Sequence, residues 1–421
     1  MKVLYLIVSC LGLVLTGKVV DLPLLDFKIH SDHYSGYLNV SKTHRLHYWF
    51  FESQNTPSSD PLIFWFNGGP GCSSLFGMLE ENGPFLFSEM HDSFRRNEYT
   101  WNRMANVVYL ESPAGVGFSY CTRGNYTIDD DLTADENYVA IKEFLKEFPQ
   151  FRDHDIFLAG ESYAGIYIPM LADRIIDGQK RYPINLRGIA IGNGMLSVNI
   201  RRTSILFYSY YHGIIEERKY NYFVKKCCNG NIKTCDLDSS ESVCEGIWDF
   251  LLRNHPILDR YDVSRKCSNS IHGDPNIKPC RFDRSKIENY FKKEEVRKAL
   301  HIPTRVDNWK MCDRKAYIST RKDMSGYIKK AVRHGVRTLL FYGDQDSICD
   351  FMMGQQFVAD LKLPKISTKT PWIFDNTVAG YKTTYERVIF LTVRGAGHMV
   401  PMSRPRQSFY MIQRFLSNQP I

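Results

Sequence analysis

Past its first residues, the 421-residue sequence contains no long uncharged apolar stretch, no internal repeat, no low-complexity tract and no coiled-coil heptads. The first absence excludes membrane-spanning helices from the bulk of the chain. The others exclude solenoid and fibrous architectures. Concentrated charge is also missing. The formal net charge of +8 is spread along the whole sequence, and basic clusters are as short as Lys225-Lys226 and Arg201-Arg202. A solvated basic surface accounts for it, and nucleic-acid binding is not expected. No CxxC pair or histidine joins the cysteine-rich stretch, which argues against a zinc site and for no metal at all.

What is present points to a globular protein of the secretory pathway. Hydrophobic residues make up 43% and aromatics 14%, enough for a large core and unlike a disordered chain. Lys2, the apolar run over residues 3 to 15 and the small residues near Thr16 and Gly17 predict a signal peptide over 1–17. The run is too short to span a bilayer, so the mature protein is expected to be soluble, in a lysosomal or extracellular compartment. Such compartments are oxidising. Of the eleven cysteines, Cys10 leaves with the signal and ten remain for disulfides. Cys227, Cys228, Cys235 and Cys244 crowd together, with Cys267 and Cys280 following. The sequons at Asn39 and Asn125 predict glycosylation.

Apolar, β-branched runs bounded by turn residues recur at Leu62–Phe66, Asn106–Leu110, Asp155–Ala159, Leu186–Ile191, Arg337–Tyr342 and Arg387–Val393. They read as buried strands. Helical patterns lie between them, with Tyr138, Ile141, Leu145 and Phe148 on one face and another helix running from Ser162 to about Ile176. Strands alternating with helices imply a mostly parallel sheet covered on both faces. The pattern weakens between about residues 194 and 300, which reads as an inserted, disulfide-rich cap. The expected division is a core over 18–193, the cap over 194–300 and the rest of the core over 301–421.

Gly160-Glu161-Ser162-Tyr163-Ala164-Gly165 matches a nucleophile elbow of G-x-S-x-G type, directly after a predicted strand and before a helix. Ala and Gly occupy its fifth and sixth places. A serine hydroxyl is a weak nucleophile, so it needs a base and a carboxylate later in the chain. His398 follows the last strand, and Asp344 and Asp346 follow the one before it. Spacing alone leaves either aspartate open. The order of serine, aspartate and histidine, each after a strand, is that of an α/β-hydrolase fold. A developing oxyanion requires two backbone donors. The loop Asn67-Gly68-Gly69-Pro70-Gly71-Cys72 and the elbow supply the N–H groups of Gly69 and Tyr163.

Trp65-Phe66-Asn67-Gly68-Gly69-Pro70-Gly71-Cys72-Ser73-Ser74, the elbow and Gly397-His398-Met399-Val400-Pro401 resemble the serine carboxypeptidases, most closely their lysosomal animal branch. The likeness runs from about Tyr34 to Pro420 and includes Glu111-Ser112-Pro113-Ala114-Gly115-Val116-Gly117-Phe118, Tyr210-Tyr211-His212-Gly213 and the Cys227-Cys228 pair. It implies release of C-terminal residues from peptides that carry a free carboxylate, without cofactor, and it selects Asp346 as the third triad member. It further implies that Asn67, Gly68, Glu81 and Glu161 hold the terminal carboxylate. Two glutamates facing a third carboxylate cannot all be ionised in close contact, so this arrangement favours acid pH. The resemblance pairs Cys72 with Cys312, Cys227 with Cys244, Cys228 with Cys235 and Cys267 with Cys280. It leaves Cys121 and Cys349 outside these pairs, with Cys349 a buried thiol open to thiol reagents.

Three departures qualify the likeness. The stretch between Cys267 and Cys280 is short, where lysosomal members carry a long excised loop, so activation by conversion to two chains is not implied. Ser403 stands where an acidic residue is usual. Lysosomal delivery and partnership with glycosidases transfer only by weak analogy, and a homodimer is allowed.

Overall fold

The computed structural model describes residues 17–88, 93–123, 127–232, 259–267, 285–313 and 317–421. The expected signal segment up to residue 16, the Asn125 sequon and Cys235, Cys244 and Cys280 lie outside the described residues.

The apolar runs fold as expected. Asn106–Leu110, Leu62–Phe66, Ile156–Glu161, Leu186–Gly192, Arg337–Gly343 and Val388–Val393 pair in this order, all parallel. Each is apolar on both faces because each is covered on both. Phe64 and Phe66 point into one core cluster, Ile63 and Trp65 into the other. On the first side lie Asp130–Glu147, Ala164–Gly178, Ser325–Arg333 and Phe351–Asp360, contributing Phe144, Ile168, Ile328 and Phe357. On the second lies Pro405–Leu416, contributing Met411, Ile412 and Phe415. A layer of large aromatics, Trp49, Trp65, Trp101 and Trp309, fills the space there.

Among the described residues the sheet has twelve strands, and its flanks depart from the parallel pattern. An antiparallel hairpin, His33–Asn39 with His44–Phe51, extends one side, and Lys365–Phe374 with Thr377–Tyr385 extends the other. Neither hairpin is among the strands expected from apolar runs in the sequence. Lys365, Ile366, Thr368, Lys369 and Thr370 are exposed, so the outer strand carries no apolar alternation to read. Lysines along such an edge also discourage pairing with another chain. Among the described residues no helix is long and apolar enough to cross a membrane.

Of residues 194–300, expected to form an inserted cap, the described part holds Val198–Tyr211, Glu217–Cys227, Ser285–Lys292 and Glu294–Ala299, plus residues 259–267. Ile287, Tyr290, Phe291 and Val296 join the aromatic layer beneath the sheet. Cys72 and Cys312 form a disulfide, as the resemblance implies. Cys227, Cys228 and Cys267 are also in disulfides, but the three pairings inferred for them fall on cysteines outside the described residues.

Candidate active site

The carboxyl ends of the parallel strands converge on one cavity of about 910 Å³. Ser162 follows Ile156–Glu161 and has φ +61°, a left-handed conformation costly for a residue with a Cβ. Its backbone is held there: its N–H donates to Gly192 O (3.0 Å), and its carbonyl accepts from Met195 N (2.8 Å) and Gly165 N (2.9 Å). The hydroxyl faces the cavity that His398 also lines. Among the described residues Ser162 makes hydrogen bonds through its backbone only.

His398 and Asp346 are buried and joined by a 2.6 Å contact from Nδ1 to Oδ2. A carboxylate only accepts, so Nδ1 is the donor of this contact. Of the two aspartates left open by spacing, Asp346 is the one that makes this contact. Asp344 Oδ1 instead accepts from Gly395 N at 2.7 Å and braces the histidine loop. Asp346 is saturated: Oδ1 accepts from Ile348 N (2.8 Å), and Oδ2 also accepts from Cys349 N (3.1 Å) and Asn193 Nδ2 (2.9 Å). Cys349 is a buried free thiol, with its pKa pushed well up by burial. Ser403, the residue that departs from the acidic norm, accepts from Gly397 N at 3.2 Å and supports the same loop.

The glycine-rich loop meets the elbow directly. A Cβ at Gly68 would lie 2.3 Å from Tyr163 N and 2.8 Å from Ser162 Cβ, so only glycine fits. Gly69 has φ +115°, again a glycine conformation. Among the described residues neither Gly69 N nor Tyr163 N donates a hydrogen bond, which leaves two N–H groups beside the serine for an incoming oxygen. Glu111, from the likeness motif, is buried and accepts from Ser73 Oγ, Trp309 Nε1 (2.8 Å), His47 Nδ1 (2.8 Å) and Phe118 N (2.9 Å), anchoring the end of that loop.

Asn67, Glu81 and Glu161 form a buried cluster at the same edge. Asn67 Nδ2 donates to Glu161 Oε1 (3.0 Å) and Glu81 Oε1 (3.3 Å), while its Oδ1 accepts from Trp65 Nε1 (2.8 Å) and Gly77 N (3.0 Å). Burial pushes the Glu81 carboxyl up to about 7. Burial and then the Glu81 charge push Glu161 well above the usual range. Oε2 of each has no partner among the described residues, and a proton shared between them would satisfy both.

Three contributors were not identified from sequence. Asn193 stands between two glycines directly after the strand Leu186–Gly192, a strand-end position that could have marked it. Asp130 reads as a helix-start aspartate, yet its side chain accepts from Tyr163 OH (2.9 Å), Tyr317 OH (2.7 Å), Thr320 N (2.6 Å) and Arg321 N (2.8 Å), tying the elbow's tyrosine to residues 317–321. Tyr261 comes from the segment expected to be an inserted cap. Its carbonyl accepts from His398 N (2.7 Å), and its ring lies edge-on to the imidazole at 5.1 Å. Nothing in its sequence context signals this.

The family profile described as serine carboxypeptidase matches residues 23–418. A Caenorhabditis elegans serine carboxypeptidase is 37% identical over 461 aligned positions, covering 100% of this chain and 98% of the relative. The mouse lysosomal protective protein is 36% identical, with 92% of this chain and 90% of the relative covered. In structure, a prohormone-processing carboxypeptidase from Saccharomyces cerevisiae matches with a TM-score of 0.77 at 24% identity, covering 92% of this chain and 91% of that one, which supports the α/β-hydrolase fold. With a profile that spans nearly all of its length and relatives of this identity, the chain belongs to the serine carboxypeptidase family of hydrolases.

Proposed function

We propose that this carboxypeptidase releases single C-terminal residues from peptides at acid pH, through an acyl-enzyme on Ser162. The Ser162 oxygen bonds to the carbonyl carbon of the last peptide bond while its proton passes to His398 Nε2. Asp346 holds the ring in the tautomer this requires and balances the imidazolium. The oxyanion accepts from Gly69 N and Tyr163 N. Collapse breaks the C–N bond, and the imidazolium gives its proton to the leaving amine. Water, deprotonated by the same nitrogen, then cleaves the ester and restores Ser162.

The leaving residue's carboxylate sits against Asn67, Gly68, Glu81 and Glu161. Protonated glutamates donate to it, whereas ionised ones repel it, so binding weakens as pH rises. What supports this reading most is the cavity shared by a positive-φ serine, a histidine bonded to a buried aspartate and Glu161, which is paired with Glu81 in a buried set of raised-pKa carboxyls. Routing through the secretory pathway to a lysosomal or extracellular destination is part of the proposal. The exposed position of Asn39 and the name of the mouse relative support it.

The test incubates the purified protein near pH 5 with a blocked peptide and with its C-terminal amide. Release of one amino acid mainly from the free acid is expected, with loss of activity in Ser162→Ala. Equal rates on acid and amide, or activity that survives the substitution, would sink the proposal.

A further inference from the structure

The two backbone donors beside Ser162 sit on segments that share a third support. Tyr163 lines the cavity, and its side chain runs from there to the start of the helix Asp130–Glu147. Its hydroxyl donates to Asp130 Oδ1 (2.9 Å) and is hydrogen-bonded to Ser319 Oγ (2.7 Å). The rings of Tyr163, Tyr167 and Tyr317 meet edge-on in a closed triangle, with centroids 5.3, 5.8 and 6.1 Å apart. On the side of the glycine-rich loop, Tyr167 OH accepts from Gly71 N (3.3 Å), and Cys72 N closes the same turn onto Gly68 O (3.1 Å). Gly69, which carries the other donor, lies inside that turn.

Asp130 stands where polar ends of this triangle meet. Its Oδ1 accepts from Tyr163 OH and also from Tyr317 OH (2.7 Å), and its Oδ2 accepts from Thr320 N (2.6 Å), Thr320 Oγ1 (3.2 Å) and Arg321 N (2.8 Å). The residue is 1% exposed, and a carboxyl so far from water is tolerated only while donors surround it. Its own helix does not use the side chain. Asp129 supplies the cap, with Oδ1 accepting from Leu132 N at 2.8 Å, and Asp131 forms the ion pairs with Arg174 and Arg321. The bonds of Asp130 run instead to the elbow and to the segment beside it.

This support bears on the chemical step more than on substrate binding. Tyr163 N donates no hydrogen bond among the described residues, so its direction follows from the elbow backbone and from the anchored ring. A donor fixed in advance acts where charge develops and needs no reorganisation at the moment of reaction. The terminal carboxylate of the substrate is held elsewhere, at Asn67 and the glutamates. A misplacement of about 1 Å in such a group costs on the order of a hundredfold in rate.

We propose that Asp130 is a positioning residue for the oxyanion hole. By fixing the Tyr163 hydroxyl, and by fixing Tyr317 against the Tyr167 ring that carries Gly71, it aims both backbone donors at the developing charge. The inference rests on the acyl-enzyme reading above, because that reading makes Tyr163 N and Gly69 N the donors. The experiment compares the native enzyme with Asp130→Asn, which keeps the shape of the side chain and replaces an acceptor by a donor, and with Tyr163→Phe, which removes only the hydroxyl. Both kcat and KM are measured at about pH 5 on an N-blocked dipeptide, with reactive Ser162 counted by titration to completion with a fluorophosphonate. Counting sites makes kcat independent of how much of a variant folds.

Asp130→Asn should lower kcat by roughly tenfold or more with KM little changed. The Ki of an N-blocked peptide aldehyde, whose tetrahedral adduct places its oxygen where the oxyanion forms, should rise by the same factor. The double variant of Asp130→Asn and Tyr163→Phe should be no slower than Asp130→Asn alone, since one residue acts through the other. Asp131→Asn, which cuts the adjacent ion pairs, should leave kcat and the aldehyde Ki unchanged. Full kcat in Asp130→Asn, a loss carried by KM with the aldehyde Ki unmoved, losses that multiply in the double variant, or an equal loss in Asp131→Asn overturns this inference alone. Should Asp130→Asn fail to fold, Tyr163→Phe is read in the same way: kcat and aldehyde Ki shifting together support the proposal, and either one unmoved overturns it. A native enzyme that hydrolyses no such peptide overturns the catalytic reading itself.

Discussion

Glu81 offers the sharpest test of the electrostatics. It is 1% exposed, its Oε1 accepts from Asn67, and burial raises its carboxyl to about 7 from an ordinary 4.5. A raised carboxyl means that the folded state holds a proton the unfolded chain has released. Stability is therefore greatest below pH 4.5 and declines as pH rises toward 7. For this one group the decline amounts to about 3 kcal/mol. Glu81→Gln removes it, because an amide keeps an acceptor for Asn67 and offers Glu161 a permanent donor in place of the shared proton.

Denaturant unfolding at pH 5 and pH 7.5 should show the native enzyme losing stability with pH and the variant losing about 2 kcal/mol less, since part of the titration lies outside this window. The KM of the variant should also climb less steeply with pH, since one fewer carboxylate faces the substrate. Native stability that stays flat or rises over this range, or a variant that declines as steeply, would refute the reasoning.

Two further perturbations probe the supports of the site. Asn193→Ala takes one donor from Asp346 and frees the loop between two strand ends, so kcat should drop by roughly tenfold or more with KM little changed in steady-state assays. Loss of the Cys72–Cys312 link, which closes a 240-residue separation, in a Cys72→Ser and Cys312→Ser double variant should cost about 2–5 kcal/mol in denaturant unfolding.

Much of this was legible in the sequence because buried parallel strands must be apolar throughout. Leu62–Phe66 and Asn106–Leu110 end where the apolar run ends. Asp155–Ala159 became Ile156–Glu161, since Gly160 and Glu161 continue the pairing although neither is apolar in the ordinary sense. The chemistry was legible for a related reason: a nucleophile, a base and an orienting acid each need a particular side chain at a strand end. The outer hairpin Lys365–Tyr385 was not, because a largely solvated strand leaves no periodic trace. Nor were Asp130 and Tyr261. Their roles depend on partners far away in the chain, at Tyr317 and His398, and on a backbone carbonyl in the latter case, which any residue could supply.

The short stretch around Tyr261 spans two loops that the core strands hold only at their roots. Tyr261 O takes the His398 N–H, Arg260 O takes the Ser347 N–H, and Val263 N–H reaches Gln345 O. One peptide segment thus braces from outside two loops that are also tied to each other, through Gly395 N–H to Asp344 Oδ1 and Gln345 N–H to Ala396 O. A break or insertion in residues 259–263 would leave every catalytic side chain present and the hydrolase sheet intact, yet the enzyme would be silenced.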